Sequence, residues 1–229
     1  MRRLAMRDAA PMQFDAIPSF LGAPIGDLED LMPHHVAVIG YFCDNLDRPA
    51  PEQRYLARQL RYASRPGNEQ TNTIDLGDLN VFPLERNKHL CAVTAQCAAI
   101  LTTGARMTLV GGDASGLEAL GIAAQKVMGS DVAVVSVSDG VVDNLPKAHP
   151  IVLSVDLGAL AGIWKSRPRR LGGLSPTQMI AQIDATQGDV IAAALFGLAP
   201  ALDDRGRTET RAALAILHAV TERLAKGAC

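Results

Sequence analysis

Five short apolar runs, each closed by glycine or by a polar turn, limit this chain to a small set of folds. Val36 to Tyr41 reads Val-Ala-Val-Ile-Gly-Tyr, and Met107 to Val110 stops at Gly111 and Gly112. Val132 to Val137 follows, then Ile151 to Val155 between Pro150 and Asp156, and Asp189 to Gly197 completes the set. Runs this short and this continuously apolar read as strands buried on both faces, the pattern of a parallel sheet.

Between the runs, apolar residues recur at three- and four-residue spacing, as amphipathic helices require. Helices are predicted from Glu52 to Ala63, from Lys88 to Thr103, from Leu117 to Met128, from Thr177 to about Ala185 and from Thr208 to Lys226. The Lys88 helix carries Leu90, Val93, Cys97, Ile100 and Leu101 on one stripe, and the last helix carries Leu214, Leu217, Val220 and Leu224. Ser175 before Pro176 is an N-cap followed by proline at the first helical position, where its missing N–H is harmless. Alternating strands and helices predict an α/β fold of three α-β-α layers with a mainly parallel sheet. At 229 residues a single domain is expected over 1–229, with 1–16 as a flexible arm.

Charge excludes several partners. The 22 basic and 24 acidic residues leave a formal charge of -2, which favours neither nucleic acid nor anionic membrane and opposes protein association little. Arg2, Arg3 and Arg7 precede no apolar signal core, and no stretch reaches the roughly 18 apolar residues of a membrane span, so a cytoplasmic protein is expected. Cys43, Cys91, Cys97 and Cys229 lack paired metal-ligand spacing and disulfide density. Cys91 and Cys97 lie within an apolar helical pattern and are expected as small buried thiols.

A series of short motifs gives this framework a closer likeness. In chain order they are Ile17-Pro18-Ser19-Phe20-Leu21-Gly22 with Asp27-Leu28-Glu29, then Gly40-Tyr41-Phe42-Cys43-Asp44, Arg61-Tyr62-Ala63-Ser64 and Asp75-Leu76-Gly77-Asp78-Leu79. Gly111-Gly112-Asp113, Ser154-Val155-Asp156-Leu157, Gly172-Gly173-Leu174-Ser175 and Pro200-Ala201-Leu202-Asp203 follow. In this order they resemble the landmarks of the arginase/agmatinase (ureohydrolase) family, from Ile17 to Val220. The resemblance implies a truncated arginase-like fold. It also implies hydrolysis of guanidino or amidino groups by two bridged manganese or nickel ions held by four Asp and two His. Two ions about 3.5 Å apart share and deprotonate the attacking water, so hard or borderline oxygen and nitrogen ligands must all be present.

Most of those ligands are missing. Ala114 follows Gly-Gly-Asp where the family places a histidine, and a methyl group has no lone pair to give. The family's Asp-Ala-His-x-Asp cluster matches Ser138-Asp139-Gly140-Val141-Val142. Asp139 and Asp143 lie nearby, but one residue of shift at a strand end turns a side chain to the opposite side. Asp156 alone keeps a ligand position; the second Asp of its string is Gly158, and the substrate-orienting Glu corresponds to Gly197, with Ala199 before Pro200. Only 13 residues separate Val142 from Asp156, where the family carries a longer stretch, so a shortened sheet or exposed edge is expected.

The expected site is therefore empty: no catalytic residue, no cofactor-binding residue and no metal centre, with Asp156 read as a turn or helix-cap acceptor. His34 and His35, adjacent after Pro33, are expected to point apart, and His149 before Pro150 is read as a turn residue. Gly111-Gly112-Asp113 lacks a phosphate-loop pattern, and Lys165, Arg167, Arg169 and Arg170 read as a solvated loop. The resemblance implies a non-catalytic subunit of a hetero-oligomer, as in the metformin-hydrolase type, where a nickel-containing catalytic homologue pairs with a metal-free one. Two alternatives stay open: an independent amidinohydrolase with one ion held by Asp113, Asp139, Asp143 and Asp156, and a stand-alone binding protein for a cationic ligand.

Overall fold

The computed structural model describes residues 18–43, 53–64, 72–129, 131–137, 149–162, 172–203 and 207–227. Among these residues six strands form one sheet: β1 (Val36–Gly40), β2 (Thr73–Asp78), β3 (Arg106–Val110), β4 (Ala133–Val137), β5 (Ile151–Asp156) and β6 (Val190–Phe196). Their order is β2-β1-β3-β6-β5-β4, and every pairing is parallel. Five of these strands are the apolar runs of the sequence. The sixth, β2, is an edge strand reading Thr-Ile-Asp-Leu-Gly-Asp, whose acids and glycine interrupt the apolar run that a sequence reading relies on.

Among the described residues five helices cover the sheet: α1 (Leu56–Ala63), α2 (Arg86–Thr102), α3 (Ser115–Met128), α4 (Pro176–Ala185) and α5 (Thr208–Ala225). One face packs Val36, Val38, Leu153, Val155 and Leu195 with Leu56 and Leu60 of α1, Met179 and Ile183 of α4, and Ile216, Leu217 and Val220 of α5. The other face packs Ala37, Ile39, Met107, Leu109 and Phe196 with Val93 and Cys97 of α2 and Leu120 and Ala123 of α3. Successive strand residues thus alternate between two apolar cores, which is the three-layer arrangement expected of strands buried on both faces.

Local chemistry sets the helix ends. Ser175 accepts the amide of Gln178, and the Gln178 side chain returns to the Ser175 amide, so α4 begins in a reciprocal capping box. Gly129 ends α3 at φ +61, a left-handed conformation that glycine adopts without steric penalty. The helix predicted from Glu52 is shorter, with a 3-10 turn over Gln53–Tyr55 before α1 begins at Leu56. At the opposite end of the sheet, the Arg106 guanidinium bonds Asp189 Oδ1 at 2.6 Å and the Arg223 guanidinium donates to the carbonyls of Thr186 and Gly188, fixing the last turn of α5.

Two burial expectations are corrected. Cys91 is exposed while Cys97 is buried, because Cys97 continues the Val93 stripe and Cys91 lies off it. Leu90 is only partly buried, and His89 takes the buried position at the start of that stripe. Among the described residues the sheet ends at β4, where burial alternates along the strand and Val134 is 52% exposed. No helix among the described residues is long and apolar enough to cross a membrane.

Candidate functional site

Two parallel strands that reverse the strand order around them leave a crevice at their carboxyl ends, where open α/β sheets place their chemistry. Here β3 and β6 lie at the middle of the sheet, and their carboxyl ends meet the turn Gly111-Gly112-Asp113, the Asp156 segment after β5 and Gly197 after β6. Gly111 N–H donates to Leu195 O at 2.8 Å, and Asp156 stands in register with Phe196, so the ends of β3, β5 and β6 are held together by backbone bonds.

Asp156 is committed to that backbone. Its Oδ1 accepts the amide of Gly158 at 2.8 Å and caps the 3-10 turn Leu157–Ala159, as the turn or cap reading of this residue requires. The carboxylate also fills the space beside Gly197: a Cβ at 197 would overlap Asp156 Oδ1, and Gly197 itself stands at φ +87. The position corresponding to the family's substrate-orienting glutamate therefore has no room for a side chain. Ala114 is exposed and Gly158 is buried, and neither carries a donor atom. Among the described residues, no group of three or more His, Cys, Asp or Glu could hold a metal ion, so these residues do not fit a two-metal centre. Asp44, Asp139, Asp143 and the Lys165, Arg167, Arg169 and Arg170 cluster lie outside the described residues.

A polar network missed by sequence reasoning occupies the neighbouring space. Tyr41, fully buried after β1, lays its ring against the Gly-Gly turn; a Cβ at Gly112 would stand 2.6 Å from Tyr41 Cδ1. Phe82 N–H donates to His89 Nδ1 at 3.2 Å, so that nitrogen is unprotonated and Nε2–H is left to donate to Tyr41 Oη at 2.7 Å. Tyr41 then donates to Ser115 Oγ at 2.7 Å, and Ser115 donates to Asp113 Oδ1 at 2.5 Å. Burial pushes the Tyr41 hydroxyl far above the ordinary tyrosine range, although its bond to Ser115 opposes the shift. Burial likewise holds His89 below its usual value despite the charge of Asp113, which agrees with a neutral ring. The one sequence signal was His89 on a stripe otherwise apolar.

Several of the quoted motifs make buried structural bonds. Arg61 donates to both oxygens of Asp75, at 2.8 and 2.9 Å, to Asp78 Oδ1 at 2.5 Å and to the Gly77 carbonyl. Asp75, 1% exposed, also accepts the amides of Phe20 and Gly77, and the Arg61 guanidinium lies 4.1 Å from the Phe20 ring centroid. Ser64 Oγ accepts the Leu21 amide, so the segment before β1, α1 and β2 are tied into one cluster. Desolvation works against the charge of Arg61, but its bonds to Asp75 and Asp78 prevail and raise its pKa. Asp203 accepts the amides of Glu209 and Thr210 and caps α5. Gly173 stands at φ +143 where a side chain would strike the Ala159 carbonyl.

His34 and His35 do not diverge: their rings are 4.2 Å apart, tilted by 57°, because the Met32 amide draws in His35 Nδ1. Burial and the neighbouring His34 hold His35 below its usual pKa. His149 bonds the Asp131 carbonyl at 3.0 Å at a bend before β5.

Among solved structures, the chain is similar to a hypothetical agmatinase from Burkholderia thailandensis, with a TM-score of 0.77, 16% identity and coverage of 93% of this chain and 92% of that one. It is also similar to proclavaminate amidino hydrolase from Streptomyces clavuligerus, with a TM-score of 0.75, 17% identity and 93% and 98% coverage. Formimidoylglutamase from Bacillus subtilis follows at 0.71, 16% identity and 94% and 96% coverage. The fold is arginase-like. No protein-family model matches the chain, and no curated protein matches it.

Proposed function

We propose that this chain is a ureohydrolase-family protein working as a non-catalytic, cytoplasmic subunit that stabilises or regulates a catalytic homologue. In this reading the partner carries the nickel or manganese ions and hydrolyses a guanidine or biguanide-type substrate such as metformin. The observation that carries the reading is the contrast at the strand ends: the family's scaffold motifs make buried bonds, while Ala114, Gly158 and Gly197 offer no ligand atom and Asp156 is turned into the backbone. The edge that β4 forms among the described residues, with Val134 half exposed against Gly121 of α3 and Ile122 and Met128 of that helix also exposed, supports a partner that covers it.

Co-expression with a full-length ureohydrolase homologue, followed by size exclusion, metal analysis and assays of each chain alone and together, tests the proposal. Co-elution is expected, with metal and turnover confined to preparations that contain the homologue. Stoichiometric metal and turnover of a guanidine compound by this chain alone would overturn it. One observation favours the independent single-metal reading: Asp113 Oδ2 is buried with no hydrogen-bond partner. Unchanged metal content and activity in Asp113→Asn would remove that alternative.

A further inference from the structure

Away from the strand ends, a cleft of about 510 Å³ opens between the end of α1 and the start of α5, lined by Tyr62, Ser64, Arg207, Thr210, Arg211 and Leu214. Arg207 and Arg211 are both exposed, Arg207 immediately before α5 and Arg211 in its first turns. Among the described residues neither guanidinium has a hydrogen-bond or ion-pair partner. Arg207 also stands at φ +52, a left-handed conformation that a non-glycine residue adopts at a cost. A third cation, Arg58, stacks 5.6 Å from the ring centroid of Tyr62.

Among the described residues, the neighbouring acids do not pair with these guanidinium groups. Asp203 is engaged by the Glu209 and Thr210 amides and by the Thr210 hydroxyl, and Glu209 is buried. Ser64 and Thr210 are likewise spent on internal bonds, so among the described residues the cleft's side-chain donors are the two guanidinium groups and the Tyr62 hydroxyl. Tyr62, 59% exposed, and Leu214 form its apolar wall.

We infer that this cleft binds a small oxyanion: a ligand carrying a phosphate or paired carboxylates joined to an apolar or ring-shaped part. Guanidinium groups match both oxyanions through paired N–H donors, and the ring of Tyr62 offers a stacking face for the remainder. The volume falls within the range of small-ligand sites, about 300–1,000 Å³. A net charge of -2 and an isoelectric point near 6.2 argue against a nucleic-acid polyanion. The inference is independent of the proposed subunit role.

Isothermal titration of the full chain with inorganic phosphate and with citrate, at ionic strength matched by sodium chloride, tests it. Saturable binding is expected for the wild type, weakened by about tenfold or more in Arg207→Gly/Arg211→Gln. Arg207→Gly relieves the left-handed strain, so the double variant is expected to fold; Arg211→Gln alone provides a second, milder readout in the same direction. Absence of binding at about 20 mM ligand, equal binding by wild type and both variants, or binding confined to a polyglutamate peptide or an oligonucleotide would each overturn the inference.

Discussion

Replacing Arg61 by methionine removes the guanidinium that holds β2, α1 and the segment before β1 together, while keeping a side chain able to cover Phe20. The variant leaves Asp75, 1% exposed, with only the Phe20 and Gly77 amides and no cation. Breaking a buried ion pair from one side is destabilising by about 3–5 kcal/mol, because the remaining charge is buried and uncompensated. That is a large part of the roughly 5–15 kcal/mol that keeps a domain folded. For a chain of this length it corresponds to a fall of about 6–20 °C in Tm. Asp78, whose side chain is 43% exposed, provides the contrast: Asp78→Asn loses a bond that water competes for, and the expected effect is about 1 kcal/mol or less. Thermal melts and urea midpoints of Arg61→Met, Asp75→Asn, their double variant and Asp78→Asn form the assay. The double variant is expected to lose less than the sum of the singles, since both remove one interaction. Equal losses for Arg61→Met and Asp78→Asn, or strict additivity of the pair, would refute the claim that these motif residues persist for structural reasons.

Tyr41→Phe deletes the hydroxyl between His89 and Ser115 and strands their polar atoms, so a loss of about 1–3 kcal/mol is expected in urea denaturation. His89 and His35 have folded pKa values lowered by burial, so the unfolded chain binds more protons; stability is full above the free-histidine value of about 6.5 and declines as pH falls through it towards the folded values. Urea midpoints between pH 7.5 and 5 should show that decline, reduced in His89→Gln. A mild alkylating reagent at about pH 8, near the free thiol pKa, should label Cys91 and spare Cys97, whose thiol burial raises to about 12, as peptide mass spectrometry would read.

The sequence made the layers legible because strands buried on both faces show as unbroken apolar runs, and Val36–Gly40 or Val190–Phe196 can hardly read as anything else. β2 escaped because its third residue, Asp75, answers to Arg61 rather than to an apolar core, a pairing that periodicity does not encode. That Ala114, Gly158 and Gly197 carry no polar side chain is read directly from the sequence. What fills the space beside them was not: that Asp156 fills the position beside Gly197, or that Tyr41 joins His89 to Ser115 across 48 and 74 residues, depends on contacts distant in sequence. Cys91 and the paired rings of His34 and His35 were misread because helix rotation and one backbone bond decide them.

The interlock between Asp156 and Gly197 resists any single substitution at either position. Any residue larger than glycine introduced at 197 collides with a carboxylate already engaged by the amide of Gly158, and moving that carboxylate first uncaps a turn that depends on it. A side chain at 197 therefore requires a compensating change at 156, so the two positions can vary only together.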